Sequence, residues 1–198
     1  MLNPIKLDSA TKTSLPINIE INQIPSEDVN QVYFSANCTN QFYQLDLKSM
    51  IFNRMDKTFY RGDNCHAYHF FRKGVLHTAG GYGFWRTNNH IIYFDDKSKE
   101  WEAYSPVQGD QIPPGLFDVN QYKDGDNITY FNGITINAYD NLKFEQTRDI
   151  WHFNLRTKTW KYKGKTALFF GNNPQNFQYK NYYFAFNEER RIIRVNFS

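Results

Sequence analysis

The side chains able to do chemistry are few and scattered. The 198-residue chain holds five histidines and two cysteines. His66 and His69 stand three apart in the strand-like run Cys65-His-Ala-Tyr-His-Phe-Phe. On a strand that spacing sends the two side chains to opposite faces, so they cannot chelate one metal together. His77, His90 and His152 are isolated from one another in sequence. Cys38 and Cys65 fall in no C-x-x-C or Cys/His pattern, and two thiols make no disulfide framework, although one bridge between them stays open. No H-E-x-x-H, G-x-S-x-G or phosphate-cradling glycine loop occurs. The expectation is a protein that is not an enzyme and needs neither metal nor cofactor.

Recognition is the chemistry better represented. The run Gly80-Gly81-Tyr82-Gly-Phe84-Trp85-Arg86 sets large rings and a guanidinium beside glycines, a mixture enriched at interaction hot spots. A second stretch, residues 134–148, carries Tyr139, Phe144 and Arg148 and reads as a connection too long for a plain hairpin. Two roles are open for Phe84 and Trp85: contact with a partner, or capping of the core beneath them. A basic run also stands out, with Arg156, Lys158, Lys161, Lys163 and Lys165 interleaved with Trp160 and Tyr162. It can be read as cations for phosphates with rings for bases, or as an edge strand whose lysines deter pairing. A net charge of only +3 favours the edge strand, so no nucleic-acid partner is expected.

These residues must be positioned by elements, and the elements repeat. Phe42-Tyr-Gln-Leu-Asp46-Leu-Lys-Ser49, Ile92-Tyr-Phe-Asp95-Asp-Lys-Ser98 and Ile150-Trp-His-Phe-Asn154-Leu-Arg-Thr157 share one plan. A β-rich run ends in Asp or Asn, a Ser or Thr follows three residues later, and an aromatic (Phe52, Trp101, Trp160) stands six residues on. A fourth copy ends at Asn196 and a faint first one holds Asp8. The copies are 38, 49, 59 and 42 residues apart, and their mean of 47 lies in the range of four-stranded propeller blades of about 40 to 50 residues. The carboxylate or amide starts a turn by accepting from its own backbone, and the chain returns as a strand with the ring turned inward. The same turn accounts for the carboxylate pair Asp95-Asp96.

The stretch from Cys65 through Gly80-Gly81 to Ile92-Tyr-Phe-Asp95 and Trp101 resembles a kelch repeat: a hydrophobic strand, a diglycine, a Tyr-Asp strand and a Trp about six residues after the Asp. The resemblance is good over residues 64–105, partial over 31–56 and 118–163, and weak at both ends. It implies an all-β, kelch-type β-propeller in the structural class of galactose oxidase-like propellers. About four repeats of four-stranded antiparallel blades would form an incomplete ring in one segment, residues 1–198. The approximate units are a partial blade at 1–20, blades at 21–57, 64–105 and 117–163, and a second partial blade at 166–198. Copper chemistry of related oxidases needs paired His ligands and a Tyr–Cys cross-link, and no residue here carries these over.

The function expected is a protein-binding module that works through face loops. The alternatives are a carbohydrate-binding or carbohydrate-active propeller, stacking sugars on Tyr82, Trp85 and Tyr139, and the sensing part of a larger receptor. The 18 Phe, 14 Tyr and 4 Trp supply packing that the mean hydropathy of −0.70 would not suggest, and they exclude a disordered chain. No apolar window is long enough to span a bilayer, and residues 1–30 lack the apolar core of a signal peptide. An open blade edge is expected to favour self-association.

Overall fold

In the computed structural model all residues are described except 1–5, 8, 16–17, 27, 60–61, 105–110, 138, 141, 168, 170–175, 181, 187–190 and 197–198. The described chain is all-β apart from one short helix, and its sheets are the blades of a β-propeller fold. The first sheet is built from β1 (Lys6–Leu7), β2 (Ile21–Ile24), β3 (Gln31–Ala36), β4 (Gln41–Asp46) and β5 (Ile51–Arg54), ordered β1-β5-β4-β3-β2. Helix α1 (Ser9–Ser14) follows β1 and lies against β5. The second sheet starts with β6 (Tyr68–Arg72) and β7 (Val75–Ala79), leaves for a small hairpin of β8 (Tyr82–Gly83) and β9 (Arg86–Thr87), then resumes with β10 (Ile91–Asp95) and β11 (Glu100–Ala103).

The third sheet follows the same path: β12 (Asn120–Asp124), β13 (Asn127–Phe131), the hairpin β14 (Ile134–Ile136) and β15 (Phe144–Gln146), then β16 (Asp149–Asn154) and β17 (Thr159–Lys165). The fourth is β18 (Phe177–Tyr179), β19 (Tyr182–Phe186) and β20 (Ile192–Asn196). The chain divides into two compact units, Met1–Phe84 with His90–Tyr104, and Trp85–Asn89 with Ser105–Ser198.

Three features go beyond the sequence reading. Within residues 1–20, Lys6–Leu7 extends the first sheet in parallel beside β5, and Asp8 lies outside the described residues. The first sheet has five strands where four were expected, while the last has three, in keeping with the partial blade expected there. Cys38 and Cys65, which no motif paired, form a disulfide across a sequence separation of 27.

The repeated turn works as its residue types require. Asp46 Oδ1 accepts from Lys48 N–H at 2.9 Å, Ser49 N–H at 2.7 Å and the Ser49 hydroxyl at 3.0 Å. Asn154 Oδ1 takes the same three bonds from Arg156 N–H, Thr157 N–H and the Thr157 hydroxyl. The residue that closes each turn, Met50, Lys99 or Lys158, has φ of 56°, 63° or 58°. The aromatic then lands in one register slot, opposite the residue before the Asp or Asn: Phe52 on Leu45, Trp101 on Phe94, Trp160 on Phe153.

The turn bonds hold the Asp46 carboxyl down to about 2, the Ser49 amide contributing most and the Gln31 side chain next. A depressed carboxylate stabilises the fold above its unfolded value, and that contribution is lost as pH falls through the folded one. Asn154 shows that an amide can serve the same turn. The stability difference between wild type and Asp46→Asn is therefore expected to be constant above about pH 4, the ordinary carboxyl range. It should decline steadily toward pH 2, read from urea midpoints at each pH. A difference that does not move with pH would reject the charged turn.

These sheets have two faces, and packing joins unlike ones. In the first unit, Ile24, Tyr33 and Phe42 lie on the first sheet's face away from Phe52. They receive Leu76, Phe94 and Trp101 from the ring-bearing face of the second sheet. Phe42 meets Phe94 edge-on at 5.0 Å and Trp101 at 6.3 Å. In the second unit, Tyr122 and Phe131 of the third sheet receive Tyr183 and Ala185 of the fourth, with Phe131 and Tyr183 edge-on at 5.1 Å.

Buried Asn120 knits the same junction. Its Oδ1 accepts from the Tyr183 hydroxyl at 2.8 Å and from Asn176 Nδ2 at 2.9 Å, while its Nδ2 donates to Asn132 O at 3.3 Å. At the strand ends the Gln178 amide accepts from Lys123 N–H at 2.9 Å and donates to Lys123 O at 2.7 Å, standing in for a ladder partner.

Candidate functional site

The chain after β7 must turn away from the sheet in very little space, and glycine makes this possible. Gly80 and Gly81 have φ of 69° and 115°, and a Cβ on Gly81 would lie 2.8 Å from Asn64 Cα. A Cβ on Gly83 would collide with Gly62 O at 1.9 Å. Between them Tyr82 exchanges both backbone bonds with Cys65 at 2.9 Å, and Cys65 is tied through its disulfide to Cys38 in the turn between β3 and β4. Tyr82 is half-buried and belongs to the hairpin's base.

The hairpin closes on two residues, Phe84 and Trp85, with φ of 49° and 61°. Two left-handed residues in a two-residue turn are the setting where Asn-Gly or Gly-Gly is favoured. Here the positions carry a Phe exposed to 72% and a Trp exposed to 65%, with exposed Arg86 next in line. The two rings therefore stand in solvent, not folded down as a cap on the sheet's own core.

In the second unit, the segment running on from Trp85 is held by Leu116 N–H on Asn88 O at 3.1 Å and by Asn89 Nδ2 on Pro113 O at 2.9 Å. β9 lies beside β14. Phe117 exchanges backbone bonds with Ile134 at 3.0 Å in both directions, so the ribbon continues through β14 to β15. The stretch expected as a long loop is thus mostly a second hairpin. Phe144 on β15 is exposed, with its ring edge-on to Phe117 at 5.6 Å. Its tip is shaped by Asn137, whose Oδ1 accepts from Tyr139 N–H at 2.7 Å and Asp140 N–H at 3.0 Å, leaving Tyr139 fully exposed. Lys143 and Asp140 pair across the tip at 3.0 Å. Exposed Arg148 leads out of the hairpin and donates to Ala167 O at 3.4 Å.

The structure therefore places Trp85, Arg86, Tyr139, Phe144 and Arg148 in one unit, on two hairpins whose strands β9 and β14 are neighbours. Ile112 and Leu142, which sequence reasoning did not single out, are also exposed in that unit. An isolated Ile or Leu beside prolines or a turn carries no signal of its own.

Three of the histidines have local partners. His69 Nδ1 lies 2.8 Å from the Thr78 hydroxyl, and desolvation pushes its pKa down to about 4. His77 is buried, its Nδ1 2.9 Å from Val75 O and its ring stacked on Phe70 at 5.1 Å. His66 sits in a turn, where its N–H donates to Asn37 Oδ1 at 2.8 Å. Among the described residues no group of three His, Cys, Asp or Glu side chains is placed to hold a metal. The rings of the basic run pack on their own sheet: Trp160 is buried against Phe153 at 4.7 Å and Tyr162 lies on Trp151 at 5.1 Å. Lys161, Lys163 and Lys165 project from β17, an edge strand. Among the described residues no helix is long and apolar enough to cross a membrane.

No family model matches the chain, and no curated protein matches it. Solved structures do. One, described as "Structure of YjhT", superposes with a TM-score of 0.70 at 14% identity over 92% of this chain. The chain spans 63% of that protein's length. At this identity the likeness is one of fold.

Proposed function

We propose that this chain is a non-catalytic, kelch-type propeller module that binds a protein partner through its two adjoining hairpins. The observation that carries the reading is the Phe84–Trp85 turn. Left-handed backbone costs an ordinary residue roughly 1–2 kcal/mol, and exposed rings gain nothing from burial. The pair is poorly chosen for stability, and well chosen for contact: aromatic and Arg side chains on a rigid scaffold are what interface hot spots are made from.

Replacing the turn separates the two roles. Phe84→Asn with Trp85→Gly installs the favoured turn residues and is expected to hold or raise the melting temperature. The same variant should lose the partner recovered by the wild-type chain in affinity capture. Capping residues would behave oppositely, with the melting temperature falling. Recovery equal to wild type in a folded variant would reject this surface.

A carbohydrate-directed reading draws on Trp85 and Tyr139, whose exposed rings could stack on sugar faces. A glycan array followed by turnover assays on any hit separates it from protein binding.

A further inference from the structure

The two hairpins carry cations without acids to answer them among the described residues. Arg86 is exposed on β9, next to the Phe84–Trp85 turn, and Arg148 is exposed where the chain leaves β15. Arg148 donates to a backbone oxygen, that of Ala167, and neither guanidinium meets a carboxylate. The acids of the same hairpins are placed otherwise. Asp140 is paired with Lys143 at 3.0 Å. Glu145 accepts from the Asn137 side chain and, one residue on from Phe144, projects from the opposite face of the ribbon. Rings and unanswered positive charge are thus left together.

The rest of the second unit is polarised in the same sense. Residues 148–198 hold ten Lys and Arg against three Asp and Glu, whereas residues 1–147 hold thirteen against seventeen. The overall charge of +3 therefore combines a surplus of seven in one segment with a deficit of four in the other. Lys161 and Lys163, exposed on β17, also lack an acid partner among the described residues, while Lys165 has Asp149 at 3.8 Å. A unit with one sign in excess draws in ligands of the other sign and speeds their arrival.

We propose that the partner meets these hairpins with an acidic segment, its Asp or Glu side chains set among apolar residues. The carboxylates fall on Arg86 and Arg148, and the apolar groups on Trp85, Tyr139 and Phe144. This rests on the binding function proposed above and names the chemistry of its partner. A guanidinium takes a carboxylate through two parallel bonds, so the arginines set register as well as charge. A polypeptide is favoured over a nucleic acid because Trp160 and Tyr162, the rings among the lysines of β17, pack on their own sheet. They offer no platform for bases.

The probe is a phage-displayed library of random peptides, selected on the purified chain at low salt. Enriched peptides should join Asp or Glu to aromatic or aliphatic residues. Arg86→Glu with Arg148→Glu should weaken a selected peptide about ten-fold or more, with the melting temperature unchanged because both side chains are exposed. Exchanging the peptide's acids for Lys should restore binding to that variant. Phe84→Asn with Trp85→Gly should weaken the original peptide too, which places it on this surface. Added salt should slow association far more than it speeds dissociation.

A selection that enriches neutral or basic peptides, or none, would overturn the proposal, as would binding indifferent to the arginine reversal. So would binding lost on Lys161→Glu with Lys163→Glu instead, which moves the acid to β17. An oligonucleotide held as tightly as the peptide would also overturn it, by making the surface a general polyanion site. A protein captured through Phe84 and Trp85 but insensitive to both arginines would leave the binding function standing and remove only this account of its partner.

Discussion

Truncation of Phe42 to alanine is expected to destabilise the first unit by about 3–5 kcal/mol, the range for emptying a buried Phe site. Phe42 is buried where two sheets meet, with Tyr33, Phe94 and Trp101 around it at ring distances of 5.6, 5.0 and 6.3 Å. Those neighbours cannot close the void. Phe94 and Trp101 are locked opposite each other in the second sheet's ladder, and the Trp101 indole donates to Asn40 O at 2.8 Å. Tyr33 is held in the ladder of the first sheet. A cavity between two rigid layers keeps most of its cost. Urea denaturation followed by aromatic fluorescence measures it, and a loss below about 1 kcal/mol, the size of an average point mutation, would show that ring packing does not join the sheets.

Opening the Cys38–Cys65 bridge should cost about 3.5 kcal/mol, since closing a loop of this length removes a comparable amount of unfolded-chain entropy. The native contacts around it do not depend on the bond. Cys65 keeps both backbone bonds to Tyr82, and His66 keeps its bond to Asn37. The loss is therefore expected to arise chiefly in the unfolded chain. Reduction and the double variant Cys38→Ser/Cys65→Ser should lower the urea midpoint equally, with the native far-ultraviolet spectrum retained. A reduced protein as stable as the oxidised one would remove the bridge from the account.

Much of the blade was legible because it is written locally. The turn begun by Asp46, Asp95 or Asn154 spans a few residues, and an oxygen acceptor beside its own backbone amides needs no help from distant chain. The ring six residues on follows from the turn length, so Phe52, Trp101 and Trp160 share a register that spacing alone anticipates. The Gly80–Gly81 pair was equally readable, because left-handed backbone and a missing Cβ are properties of the residue itself. Residues 134–148 were harder. Ile-Thr-Ile and Phe-Glu-Gln are too short to declare strands by alternation, and they pair because Phe117 supplies a third member to the ribbon. The exposure of Phe84 and Trp85 was open for a like reason: whether a ring caps a core or leaves it depends on what lies beneath.

By itself the sequence determined the repeat, the all-β class, the turn chemistry and the inward rings, all of which rest on interactions between residues close in the chain. Only the tertiary structure decided that Cys38 meets Cys65, that Asn120 gathers Tyr183, Asn176 and Asn132, and that β9 comes to lie beside β14. These are partnerships between residues distant in sequence, where no spacing rule applies. They are settled by which surfaces the folded sheets bring within van der Waals and hydrogen-bonding reach.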